Sequence, residues 1–208
     1  MDIKESTLDF HLYLLVSTPE GLEEVIWGGV DLVQFRDKGS REDDMLRNLG
    51  LVMDICREAG VPVIINDRPG LASLYDAAGV HLGQDDMSVT RAREHVGQDR
   101  VIGVSTHTVE EAVRAEAEGA DYVAVGPVFA TGSKVVDVEP VGPGLVDQVM
   151  ARVDVPVVAI GGINKLNVGK VVDTGCTRVA VISGIMGEED PRGAARAMRV
   201  RIDRAILG

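Results

Sequence analysis

Eight short apolar runs, each followed by a segment of helical periodicity, recur along this 208-residue chain. The runs are Leu12–Ser17, Asp31–Arg36, Pro62–Asn66, Gly79–Leu82, Val101–Ser105, Asp121–Val125, Pro156–Ile160 and Arg178–Ser183. They are rich in Val, Ile and Leu and mostly lack polar alternation, as parallel strands covered on both faces do. Shared among eight units, 208 residues leave 26 for each. That holds one strand, one helix and two short loops, with nothing left for a second fold. The clearest helix lies over Thr108–Glu118, where Thr108 and Glu111 have capping-box spacing and Val109, Ala112, Val113 and Ala117 form an apolar stripe. Gly60 and Gly119 sit where helices should end, and Asp190-Pro191 where the last should begin.

No linker, repeat of low complexity or change of composition divides the chain, so residues 1–208 are read as one domain. Eight such units fit either a closed barrel or an open doubly wound sheet. An open sheet would carry a Gly-rich nucleotide loop after its first strand, but Thr18-Pro19-Glu20-Gly21 follows here and no GxGxxG occurs. The expected fold is a compact (β/α)8 TIM barrel.

A net charge of −12 and a pI near 4.7 argue against wrapping nucleic acid or docking on anionic lipid. They do not exclude anionic small molecules, since a local cluster of bases can reverse the field inside a cleft. The two cysteines, Cys56 and Cys176, lie in apolar surroundings with no CxxC pair and read as buried thiols in a reducing compartment. No signal-peptide pattern follows Met1, and the longest apolar run, Val157 to Ile163, falls far short of a membrane span. The expectation is a cytoplasmic protein without nucleic-acid or membrane partners, and a homo-oligomer stays open.

In such a barrel the C-terminal strand ends share one mouth. Those ends carry Ser17, then Gln34, Arg36 and Lys38, then Asn66 and Asp67, then Gln84, Asp85 and Asp86. Ser105 and His107 follow, then Thr131, Ser133 and Lys134, Gly161 and Gly162, and Ser183 and Gly184. So many polar groups at equivalent positions point to a ligand, because each costs free energy at a buried mouth unless satisfied.

The chemistry of that ligand can be read in part. Gly161-Gly162-Ile163 after the seventh strand and Ser183-Gly184 after the eighth match a common barrel phosphate site, although the glycines alone could simply make tight turns. Gln34, Arg36 and, if the strand continues, Lys38 share one face, with Phe35 and Asp37 pointing away. Two cations there repel unless an anion lies between them, and a diphosphate supplies one; a structural bridge from Arg36 to Asp67 or another mouth carboxylate is the alternative. Lys134 could be a third cation from the loop after the sixth strand. Asp67 and Asp86 end neighbouring strands, and paired carboxylates beside bases suit an oxygen-seeking cation, Mg2+ above all. An acid/base dyad, a helix-capping role for Asp86 and ligation by Asp85 remain alternatives.

Other patterns carry less. Gly126 to Lys134 has the wrong spacing for a P-loop, and Gly103-Val-Ser105 lacks the second glycine of a nucleophile elbow. None of His11, His81, His95 and His107 has metal-ligand spacing; His11 and His95 read as surface or helix residues, and His107 as a satisfied structural histidine.

The runs Val33-Gln-Phe-Arg-Asp-Lys38, Ile65-Asn-Asp-Arg68, His81-Leu-Gly-Gln-Asp-Asp86, Gly103-Val-Ser-Thr-His-Thr108, Gly119-Ala-Asp-Tyr122, Gly126-Pro-Val-Phe129, Ala159-Ile-Gly-Gly-Ile163 and Val181-Ile-Ser183 together closely resemble the thiamine phosphate synthase family. The resemblance covers nearly the whole chain in order. It implies a (β/α)8 barrel that joins hydroxymethylpyrimidine diphosphate to thiazole phosphate and releases pyrophosphate with Mg2+. By the same resemblance Gln34, Arg36, Lys38, Asn66, Ser105 and Lys134 would line the pyrimidine diphosphate pocket, with Lys134, Ser105, Arg36 and Lys38 nearest the chemistry. Asp67 and Asp86 would hold Mg2+. Thr131, Ser133, Gly161, Gly162, Ile182 and Ser183 would hold the thiazole phosphate.

The chain also departs from the family pattern. Thr131-Gly-Ser-Lys134 stands where Thr-x-Thr-Lys is usual, apolar residues follow it, and the first strand ends Val-Ser-Thr-Pro where an acidic residue is more common. Alternatives are a thiazole tautomerase of the same superfamily, another phosphate-binding barrel isomerase using His107 or Asp67 as base, and a catalytically silent phosphate-binding paralogue.

Overall fold

The computed structural model describes residues 3–131 and 139–208. Ser133 and Lys134, both expected at the site, therefore lie outside the described residues. The eight strands are β1 (Leu12–Val16), β2 (Leu32–Phe35), β3 (Val63–Asn66), β4 (Gly79–Leu82), β5 (Val101–Thr106), β6 (Tyr122–Val125), β7 (Val157–Ile160) and β8 (Val179–Val181). All pair in parallel with their neighbours, and β8 pairs with β1 to close the barrel. Every expected run contains a strand, and the closed alternative holds. The helices are α1 (Ile3–Leu8), α2 (Leu22–Trp27), α3 (Glu42–Ala59), α4 (Pro69–Leu74), α5 (Val89–Val96), α6 (Val109–Ala117), α7 (Pro143–Met150), α8 (Val168–Val172), α9 (Ser183–Met186) and α10 (Pro191–Leu207).

Alternate residues of each strand face two separate layers. Outward residues such as Leu14, Val33, Ile65, Val80 and Val123 meet the helices in one continuous apolar shell. Inward residues Tyr13, Leu15, Leu32, Ile64, Val101, Tyr122, Val158 and Ala180 fill the barrel, with Phe10 packed among them. Gly103 makes room for the largest of these, since a Cβ there would sit 2.0 Å from the Tyr122 ring. The uninterrupted hydrophobic runs follow from this double burial.

The helix signals mostly act as expected, with one change of face. Thr108 caps α6 by accepting from the Glu111 N–H at 3.1 Å, while Glu111 reaches back to the His107 N–H at 2.6 Å, one residue beyond the usual box. Ala112 and Ala115 form the buried side of α6, whereas Val113 and Ala117 are exposed. Small side chains let the helix lie close to the sheet, and the helical period admits either neighbouring stripe. Gly60 and Gly119, both at positive φ, end α3 and α6, and Asp190 caps α10 ahead of Pro191. Cys56 and Cys176 are buried free thiols. No described helix is long and apolar enough to cross a membrane.

Candidate active site

A cavity of about 700 Å³ opens at the C-terminal strand ends. Its lining includes Gln34, Arg36, Lys38, Asn66, Asp67, Asp86 and Ser105. Thr131, Gly161, Gly162, Ile182 and Ser183 line it as well. Of the described strand-end residues expected at the mouth, all but Ser17 are thus brought to one concavity.

Local backbone explains how the cations get there. β2 ends at Phe35, but the Arg36 N–H still donates to the Val16 carbonyl at 2.7 Å, so the extended course continues and Arg36 follows Gln34 onto the inner face. The chain then turns: Asp37 accepts from the Gly39 and Ser40 N–H groups, each at 3.0 Å. Lys38 thus reaches the cavity from a turn rather than from the continued strand. Its ammonium lies 2.8 Å from Asp67. The expected alternative bridge from Arg36 to Asp67 is not formed; Lys38 takes that carboxylate, and the Arg36 guanidinium has no ion pair among the described residues.

Asp67 directly follows β3 in a left-handed conformation, φ 59°. For a residue other than glycine such backbone is costly and clusters at functional sites. Its N–H donates to the His81 carbonyl at 2.8 Å, which ties it to the neighbouring strand. Asp86 comes round from the β4 loop, where it accepts from the Gly83 N–H at 2.7 Å. It does not cap α5, because Ser88 does so by accepting from the Arg91 N–H.

The two carboxyls are hydrogen-bonded to each other. Burial alone would raise Asp67, but hydrogen bonds from the Lys38 ammonium and from Asp86 outweigh it and hold Asp67 below its ordinary value. Burial and the adjacent Asp67 charge push Asp86 up. A proton shared between facing carboxyls is what two like charges require in the absence of a cation. Asp86, not Asp85, makes this contact. Among the described residues no group of three or more His, Cys, Asp or Glu is placed to hold a metal ion by itself. The donor set that Asp67 and Asp86 offer, two carboxyls, is one that would fit Mg2+, which commonly takes one or two carboxylates and completes its shell with water and phosphate oxygens.

Across the cavity, Gly161 and Gly162 turn with φ of 99° and 64°. A Cβ on Gly162 would lie 2.5 Å from the Ala130 carbonyl oxygen, and one on Gly184 2.1 Å from that of Ile163. The tight-turn reading of these glycines therefore holds, and the turns bring backbone into close approach. Asn167 braces the turn by donating from its side chain to the Gly162 carbonyl at 2.8 Å. Asn167 was not singled out in the sequence; its offset of five residues from Gly162 is the only hint.

The histidines divide as expected, apart from His81. His11 and His107 each donate a ring N–H to a carbonyl, of Thr177 and Gly126 respectively, and His95 lies in α5. His81 is buried inside the barrel between Tyr122 and Ser105. Its place between Val80 and Leu82, which face the outer core, was the available signal.

The profile of the family described as thiamine monophosphate synthase matches residues 12–185. The chain is 41% identical to the thiamine-phosphate synthase of Halalkalibacterium halodurans over 208 residues, covering 96% of this chain and 99% of that one. It is 46% identical to that of Methanocella arvoryzae over 190 residues, covering 91% and 89%. The solved thiamine phosphate pyrophosphorylase of Pyrococcus furiosus superposes with a TM-score of 0.87 at 35% identity, covering 98% of each chain. The barrel, its eight motifs in register and these likenesses make the chain a member of the thiamine monophosphate synthase family.

Proposed function

We propose that the chain joins hydroxymethylpyrimidine diphosphate to thiazole phosphate, giving thiamine phosphate and pyrophosphate. The observation that carries this reading is the single cavity on which two cations, a carboxyl pair and a glycine turn converge. Asp67 and Asp86 would hold Mg2+, which when bound supplies positive charge to the diphosphate oxygens.

The chain's own residues then divide the work. Arg36 and Lys38, with Lys134 beyond the described residues, favour negative charge on the departing pyrophosphate. Gln34, Asn66 and Ser105 orient the pyrimidine, whose ring spreads the positive charge left on its methylene carbon. Gly161, Gly162, Ile182 and Ser183, with Thr131 and Ser133, tether the thiazole phosphate so that the thiazole nitrogen attacks at short range. No protein nucleophile is required, in keeping with the structural bonding of His107. Buried free thiols at Cys56 and Cys176 support a reducing, cytoplasmic setting.

One assay tests the reading: both phosphorylated precursors are mixed with the protein, with and without Mg2+. Thiamine phosphate and pyrophosphate, formed only with the metal, are expected. Metal-independent isomerisation of the thiazole alone would replace this function with a tautomerase, and binding without turnover would replace it with a silent paralogue.

A further inference from the structure

A line of hydrogen bonds crosses the barrel interior and meets the cavity at both ends. Gln34 Nε2 donates to the Tyr13 hydroxyl at 2.6 Å. The Tyr13 and Tyr122 hydroxyls are 3.0 Å apart, and that of Tyr122 is 2.8 Å from His81 Nδ1. His81 Nε2 is 2.9 Å from Ser105 Oγ. Tyr13, Gln34, His81 and Tyr122 are all buried, and Gln34 and Ser105 both line the cavity. The Gln34 amide oxygen is buried without a partner among the described residues.

Each hydroxyl has one hydrogen to give, and a neutral imidazole has one N–H. Burial keeps both phenols protonated, pushing them well above the ordinary value. With that imidazole neutral, the line can be polarised in two ways only. In the sense that follows from the Gln34 donation, Gln34 gives to Tyr13, which leaves Tyr13 to give to Tyr122, Tyr122 to Nδ1, and Nε2–H to Ser105. The ends left for a ligand are an acceptor on Gln34 and a hydroxyl hydrogen on Ser105. In the reverse sense the amide turns over, the imidazole changes tautomer, and the ends become a donor on Gln34 and an acceptor on Ser105. Any mixed arrangement leaves a buried polar group unpaired. The two ends therefore switch together.

We infer that Tyr13, Tyr122 and His81 are positioning residues that set the polarity of the Gln34–Ser105 pair and thereby select a 4-aminopyrimidine over its 4-oxo counterpart. This rests on the proposed reading in which Gln34 and Ser105 face the pyrimidine. The amino form presents an N–H donor beside a ring-nitrogen acceptor, matching the polarity that follows from the Gln34 donation. The oxo form presents an acceptor beside a ring N–H and matches only the reversed line.

Two measurements test this. In ligand-free wild-type protein, long-range 1H–15N spectra should show His81 protonated on Nε2 alone; protonation on Nδ1 overturns the assigned polarity. Calorimetry with Mg2+ then compares the amino and oxo pyrimidine diphosphates, with inorganic pyrophosphate as a reference. Wild type should favour the amino form by at least about 100-fold, the scale of a site left with unpaired polar groups. Y122F and Y13F each keep the ring but break the line, and should shrink that preference by about tenfold with pyrophosphate affinity retained. A preference unchanged in both variants, with both affinities lowered equally, overturns the relay while leaving the substrate reading intact. Wild-type protein that binds neither pyrimidine overturns the substrate reading itself, and the relay with it.

Discussion

Lys38 and Asp67 form an ion pair at 2.8 Å although they come from loops after different strands. The lysine is half exposed and the aspartate mostly covered, so the contact contributes little to stability by itself. Its interest is chemical: under the proposed function it would keep a cation and an ionised carboxylate together at the cavity, ready for a diphosphate and a metal respectively. Asp67→Asn should therefore lower turnover by a factor of at least about 100, the scale of one lost charge stabiliser. Steady-state rates at saturating Mg2+ decide this, and near-wild-type turnover would remove Asp67 from the site.

The carboxyl pair predicts a pH dependence of metal affinity. Asp67 is held low and stays ionised, whereas Asp86 is pushed above its ordinary value of 3.8 by burial and by Asp67. A protonated carboxyl cannot ligate, so the proton on Asp86 competes with the metal. Mg2+ affinity should strengthen as pH rises through the raised Asp86 value and weaken below it, while Asp86→Asn flattens the profile. Titration calorimetry across the mildly acid range reads both; a flat wild-type profile would contradict shared ligation.

Unbroken runs rich in Val, Ile and Leu made the strands legible, and strand-end positions made Gln34, Arg36, Asn66, Asp67 and Ser105 legible as one mouth. The route of Lys38 was not legible, because it depends on the Asp37 turn and not on strand periodicity. Nor was the buried face of α6, where adjacent apolar stripes differ by one residue and only packing chooses Ala112 and Ala115. The interior line through His81 was hidden for a related reason. Tyr13, His81 and Tyr122 each look like ordinary core residues, and only the closure of the barrel brings Tyr13 to Tyr122, 109 positions apart.

At the N-terminal end of β6, Asp121 should govern stability without touching chemistry. Its carboxylate accepts from Lys4 at 2.8 Å, Arg93 at 2.6 Å and the Ile102 N–H at 2.7 Å. Arg93 is mostly covered, so removing the acceptor strands a partly buried cation and a backbone donor. Asp121→Ala should cost about 3 kcal/mol, the lower end for breaking a buried charge pair. Urea unfolding measures that loss. Because catalytic groups of these barrels gather at the opposite end of the strands, kcat at low temperature should stay within about twofold of wild type. A large fall in kcat with folding intact would place Asp121 in the chemistry.

The glycine after Ser183 offers the complementary case, where stability and binding should fail together. A Cβ on Gly184 would lie 2.1 Å from the Ile163 carbonyl oxygen and 3.1 Å from the Asn164 Cα, both backbone atoms that cannot swing aside. Gly184→Ala must push the start of α9 away from the Gly161–Gly162 turn, at an overpacking cost of about 1–3 kcal/mol. Both faces of the proposed phosphate cradle move in that displacement. KM for thiazole phosphate should rise by about tenfold or more, the equivalent of one well-made hydrogen bond to a charged group. Affinity for the pyrimidine diphosphate, held on the far side by Arg36 and Lys38, should change much less. Thermal unfolding together with separate titrations of the two substrates checks the pattern, and equal loss of both affinities would mean that the cavity does not divide as proposed.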